Sequence, residues 1–83
     1  MPAFVYLLEC KDHTFYCGWT NDLEKRLKAH NLGTASTYTR ARLPVKLIYS
    51  EPAKDKRAAL KRELEIKGLS RKEKELLVRK NKK

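Results

Sequence analysis

The sequence predicts an α+β fold in the order ββαβαα, a small three-stranded antiparallel sheet flanked by helices. Three observations carry that prediction. Residues 4–9 and 15–19 are rich in apolar and aromatic strand formers and are parted by the polar run Lys11-Asp12-His13-Thr14, as in a hairpin. A third apolar run, 45–49, follows Pro44. The stretches 21–33, 55–67 and 70–78 carry apolar residues at helical spacing, each with its own start or stop signal.

In the hairpin, side chains alternate between faces, so the loop length decides which residues share one. A three-residue loop sets Tyr6, Tyr16 and Gly18 together, whereas a four-residue loop separates the tyrosines; both remain open from sequence. Gly18 has no side chain and admits close approach by another backbone or a substrate. The first helix begins at Thr20-Asn21-Asp22-Leu23-Glu24, with Asn21 as cap and Glu24 as its capping-box partner. Leu23, Leu27 and His30 line one face, with Arg26 beside them one turn before His30. Gly33 supplies the left-handed residue that ends the helix.

Residues 34–42 form a polar, basic loop containing Tyr38, Thr39, Arg40 and Arg42. The apolar strand at 45–49 suits a central or well-covered place in the sheet. The next helix, 55–67, turns Ala59, Leu60, Leu64 and Ile66 inward and stops at Gly68. Ser70-Arg71-Lys72-Glu73 is a capping box for a last helix bearing Leu76, Leu77 and Val78. Asn81-Lys82-Lys83 is expected to fray.

With 83 residues the chain is read as one domain, 1–83. Lys and Arg number 20 against 10 acidic residues, a net charge of +10, which favours an anionic partner, with nucleic acid ahead of a membrane surface. No apolar run is long enough to cross a bilayer. Cys10 and Cys17 make no disulfide framework and no secretory signal precedes them, so a cytoplasmic location is expected. Cys10, His13, Cys17 and His30 offer two thiols and two imidazoles, superficially a zinc set. Against zinc, Cys17 lies within a strand and His30 at a helix end across the fold.

Tyr6, Tyr16, Arg26 and His30 fall on neighbouring elements. Phenol, guanidinium and imidazole suit phosphodiester chemistry, as proton handlers and a clamp for phosphate charge. Glu63 leans toward the core side of its helix, with an i to i+4 pair to Lys67 as its plainest role.

The order and spacing resemble the GIY-YIG nuclease domain. Val5-Tyr6-Leu7 stands in the place of the first tripeptide and Tyr16-Cys17-Gly18 in that of the second. The resemblance runs on through Arg26, His30, the Tyr38-Thr39-Arg40 run and Glu63, and is greatest to the small stand-alone bacterial branch of the family. It implies a metal-dependent endonuclease acting on DNA or structured nucleic acid. Tyr6 and Tyr16 would lie in the active site, Tyr6 as base and Tyr16 as positioning partner in the order favoured here. Arg26 would stabilise the transition state and His30 would assist proton movement. Glu63 would be the single carboxylate holding Mg²⁺ or Mn²⁺, held weakly without substrate. Gly18, Tyr38, Thr39 and Arg40 would contact the nucleic acid. The alternative is a non-catalytic nucleic-acid-binding module that keeps the fold. A separate targeting partner protein would fit a domain this small.

Overall fold

A computed structural model of the chain describes residues 2–80, so the expectation for Asn81-Lys82-Lys83 falls outside the described residues. Strands β1 (Ala3–Glu9), β2 (Phe15–Thr20) and β3 (Lys46–Ala53) form one antiparallel sheet in the order β2-β1-β3. Helices α1 (Leu23–Asn31), α2 (Thr37–Arg40), α3 (Lys56–Lys67) and α4 (Arg71–Lys80) complete the chain. The ββαβαα order holds, with α2 as a short addition inside what sequence presented as a continuous loop.

The β1–β2 turn settles the register. The Cys10 N–H donates to the Thr14 carbonyl at 2.9 Å and the His13 N–H to the Cys10 carbonyl at 2.9 Å, leaving Lys11, Asp12 and His13 as a three-residue loop. His13 takes φ 68°, the left-handed residue such loops require after a type I turn. Tyr6 therefore pairs with Gly18 and Leu8 with Tyr16 on one face, while Val5 pairs with Trp19 and Leu7 with Cys17 on the other.

Those faces bury separate clusters, and the sheet is the middle layer of three. Ala3, Val5, Leu7 and Cys17 meet Ala59 and Ile66 of α3, with Leu77 and Val78 of α4 packed against them. Tyr6, Leu8, Cys10 and Val45 meet Tyr16, Leu43 and the α1 residues Leu23 and Leu27. Leu7 is fully enclosed, and burying one such side chain contributes about 1.5–3 kcal/mol. Arg71 fastens α4 to the hairpin, its guanidinium 3.8 Å from the Phe15 ring centre and donating to the His13 carbonyl.

Four sequence expectations need correction. The α1 cap is Asp22, not Asn21: its carboxylate accepts the Lys25 N–H at 3.1 Å, so Glu24 has no box to complete. The third strand is longer than 45–49 and lies at an edge, where Pro52 is tolerated because its missing N–H faces no partner strand; β1 is central. Leu60 and Leu64 face solvent, Leu64 at 70% exposure, because α3 meets the sheet along the narrower line of Ala59 and Ile66. The run 34–42 is not wholly loop, since Ser36 caps α2 by accepting the Tyr38 N–H at 3.2 Å.

Other signals act as read. Gly33 takes φ 79° beyond α1, and the Gly33 and Thr34 N–H groups bond the His30 and Ala29 carbonyls in a Schellman pattern. Ser70 and Glu73 form the reciprocal capping box of α4 at 3.0 and 3.2 Å.

Candidate active site

The site is built around Tyr6 on the central strand. Its ring lies over Gly18 of β2 so closely that a Cβ there would sit 2.6 Å from the phenol oxygen. The close approach that Gly18 permits is thus made by Tyr6 itself. His30, in the last turn of α1, reaches down to the same place because Leu23 and Leu27 seat that helix on the sheet. Tyr6 Oη lies 2.8 Å from His30 Nε2, and His30 Nδ1 lies 2.9 Å from Thr39 Oγ1. Tyr6 is 3% exposed, His30 1% and Thr39 0%. Thr39, expected to touch substrate, is enclosed and faces His30.

Burial, and next the neighbouring Tyr16, hold the Tyr6 phenol well above its ordinary pKa; Arg26 opposes this, while Glu63 and Cys17 add to it. Arg26 and Glu63 are therefore both within electrostatic reach of the Tyr6 hydroxyl. Burial lowers the His30 pKa, and the Arg26 charge lowers it further, so the imidazole is neutral at neutral pH. Arg26 is exposed and, among the described residues, its side chain makes no hydrogen bond or ion pair, leaving the guanidinium donors free. A shallow groove beside it is lined by Thr20, Asn21, Asp22, Lys25 and Ala29.

Glu63 approaches from α3, which packs on the sheet face opposite His30. Its side chain is 14% exposed and pairs with Lys67 at 3.8 Å, the plain role foreseen for it. Among the described residues no three His, Cys, Asp or Glu side chains cluster as a metal cage. One hard carboxylate beside a loosely held lysine fits a divalent ion whose other ligands are water and substrate phosphate. It does not fit zinc. Cys10 and Cys17 belong to clusters on opposite faces, and burial pushes the Cys17 thiol up to about 11.

Tyr16 sits edge-on to His30, ring centres 5.1 Å apart, and stacks on Tyr38 at 6.0 Å. Arg42 covers Tyr38's ring at 3.9 Å, donates to the Tyr38 carbonyl at 2.9 Å and bonds Asp12 of the hairpin turn at 3.0 Å. Tyr38 is 37% exposed at the rim, and Arg40 is exposed beside Gly33. The structure thus gathers Tyr6, Tyr16, Gly18, His30, Thr39 and Tyr38 on one side of the sheet, with Arg26 beside them and Glu63 arriving from the other. Sequence reasoning missed Asp12 as the anchor of this stack. The i to i+4 spacing of Tyr38 and Arg42 hinted at their contact, but nothing local linked Arg42 to a turn 30 residues away.

Comparison with known proteins agrees with this fold. A UPF0213 protein of Clostridium perfringens is 55% identical over 90% of this chain and 81% of its own length. The UPF0213 protein YazA of Bacillus subtilis is 48% identical over 90% of this chain and 76% of its own length. The solution NMR structure of a UPF0213 protein from Bacillus halodurans superposes with a TM-score of 0.63 at 42% identity, covering 98% of this chain and 86% of that one. A protein from E. faecalis, also solved by NMR, gives 0.65 at 38% identity, over 96% and 85% of the two chains. The model of the GIY-YIG catalytic domain matches residues 2–76, from the start of β1 into α4 and so across every residue of the site. With both tyrosine tripeptides on paired strands and this match spanning the fold, the chain belongs to the GIY-YIG catalytic domain family, a superfamily of nucleases.

Proposed function

We propose that this protein hydrolyses phosphodiester bonds in nucleic acid, DNA foremost, in a reaction dependent on Mg²⁺ or Mn²⁺. The observation that carries the reading is the 2.8 Å contact of a buried phenol with a buried, neutral imidazole, beside an unpaired guanidinium. A phenol held so far above its ordinary pKa does not ionise alone. It acts as a base only by passing its own proton on as it receives one, and His30 Nε2 is within reach to take it. In that relay the attacking water gives a proton to Tyr6 Oη while Tyr6 gives its proton to His30. The water oxygen bonds phosphorus, and the bond to the leaving sugar oxygen breaks with its electron pair passing to that oxygen, which takes a proton from solvent. The imidazolium left on His30 returns its proton to solvent.

Arg26 supplies a planar fork of donors for the charge that builds on the phosphate oxygens. Tyr16, wedged between His30 and Tyr38, holds the imidazole in place rather than exchanging protons. Glu63 would hold the divalent ion, which when bound neutralises charge on the leaving oxygen. Tyr38 and Arg40 at the rim would contact the nucleic acid, and the +10 charge would draw it in.

A second reading, a binding module without catalysis, is favoured by the burial of Tyr6, since water must reach its hydroxyl for the relay to run. Tyr6→Phe separates the two. The phenyl ring keeps the packing while removing the relay and the hydrogen bond to His30 Nε2. With DNA and Mn²⁺, the nuclease reading predicts that wild type cuts and Tyr6→Phe binds equally but does not cut. Binding without cleavage by both proteins would leave the binding module, and equal cleavage by both would remove Tyr6 from the reaction.

A further inference from the structure

We infer that Thr39 is a positioning residue that fixes the tautomer of His30, so that Nε2 is the bare nitrogen facing Tyr6. The inference rests on the proposed Tyr6–His30 relay for its purpose, but its geometric basis is independent of catalysis.

The protons of this buried chain can be assigned by counting donors and acceptors. Tyr6 Oη has one partner among the described residues, His30 Nε2 at 2.8 Å. Thr39 Oγ1 has two, His30 Nδ1 at 2.9 Å and the Ser36 carbonyl at 3.3 Å. A carbonyl only accepts, so the Thr39 hydroxyl satisfies both contacts by donating to Ser36 and accepting from His30. The proton of His30 then lies on Nδ1, and Nε2 offers its lone pair to the Tyr6 O–H. Every polar atom in the line is paired. No buried side-chain nitrogen or oxygen among the described residues lacks a partner.

The opposite tautomer fails the same count. With the proton on Nε2, that nitrogen donates to Tyr6 Oη, the phenol's own hydrogen has no acceptor among the described residues, and the Thr39 hydroxyl must turn from the Ser36 carbonyl to His30 Nδ1. Stranding a buried donor costs about 1–3 kcal/mol, enough to select one form. It would also disarm the site, because a protonated Nε2 cannot receive the tyrosine's proton.

Helix α2 accounts for the placement. Ser36 caps it by accepting the Tyr38 N–H, and its carbonyl accepts from both the Arg40 N–H at 3.0 Å and the Thr39 hydroxyl. A single turn so held presents residue 39 inward and residues 38 and 40 outward, matching enclosed Thr39 between exposed Tyr38 and Arg40.

The test is ¹⁵N NMR of ¹⁵N-histidine-labelled protein, with cleavage measured in parallel. In wild type, His30 Nδ1 should resonate as a protonated nitrogen and Nε2 as an unprotonated one. Thr39→Val keeps the branched shape and removes the hydroxyl; it should convert His30 wholly or partly to the Nε2-protonated form. Thr39→Ser should restore the wild-type pattern. Cleavage should fall in Thr39→Val by on the order of ten- to a hundredfold, the usual cost of losing the group that orients a histidine, with nucleic-acid affinity unchanged and with rescue by serine. Protonated Nε2 in wild type overturns the inference whether or not the valine variant folds, as does an unchanged tautomer in a folded Thr39→Val. If wild type shows the expected tautomer but cuts nothing, the nuclease reading fails and the Thr39 assignment stands. If it cuts while Thr39→Val keeps both tautomer and rate, the reverse holds.

Discussion

At the scale of single residues, Gly18 and His30 yield the sharpest consequences. A Cβ at position 18 would lie 2.6 Å from Tyr6 Oη and 2.8 Å from its Cζ, so Gly18→Ala must displace the ring and disturb its contact with His30. Such overpacking costs about 1–3 kcal/mol, and the variant should show both a lower urea midpoint and lost cleavage. Unchanged values of both would mean that the ring shifts freely. His30 titrates below its ordinary 6.5 in the folded chain because it is buried. Above 6.5 both folded and unfolded states hold it neutral, and its burial costs no proton. As pH falls below 6.5 the unfolded chain takes up a proton that the folded one refuses, so stability is lost on the acid side. Urea midpoints followed downward from neutral pH should fall more steeply for wild type than for His30→Gln. The two tyrosines and His30 were legible as residue types at family spacing. Thr39's role was not, because a threonine in a polar run looks solvated until α2 turns it inward.

At the scale of elements, the starts of α1, α3 and α4 were legible to within a residue, α2 was not, and strand positions were less so. Asn21 and Asp22 are equally good caps by type, and Glu24 three residues after Asn21 favoured the wrong one. The chain instead enters α1 after Thr20, whose hydroxyl accepts the Asp22 N–H at 3.1 Å and sets Asp22 as cap. Asp22→Ala should therefore cost about 1 kcal/mol in thermal unfolding, while Asn21→Ala should cost a small fraction of that. The reverse ranking would place the cap at Asn21. The apolar composition of 45–49 suggested a covered strand, but local pattern does not distinguish an edge strand with one packed face from a central one. The hairpin register also lay beyond sequence, since it turns on His13 adopting the left-handed conformation that glycine more often supplies.

At the scale of the whole molecule, the sheet as a middle layer explains why the site draws on both sides. His30, Thr39 and Tyr38 come from the α1–α2 layer, and Glu63 from the α3 layer. Sequence suggested one gathering of residues but not that a sheet would stand between two of its contributors. The net charge of +10 predicts binding that weakens with salt and varies little with base sequence. Each neutralised phosphate adds about 0.9 to the log–log salt slope on duplex DNA, and a flat slope in fluorescence anisotropy would refute an electrostatic grip. No helix among the described residues is long and apolar enough to cross a membrane. The most direct measurement is single-turnover cleavage of end-labelled DNA in Mn²⁺, with and without EDTA, by wild type, Arg26→Ala and Glu63→Ala. Wild type should cut and EDTA should stop it. Arg26→Ala should be slower by about a hundredfold or more, the worth of one preorganised donor, and Glu63→Ala should be silent, with both binding DNA nearly as wild type does. The same trace cleavage from all three proteins, indifferent to EDTA, would contradict a metal-dependent nuclease at this site.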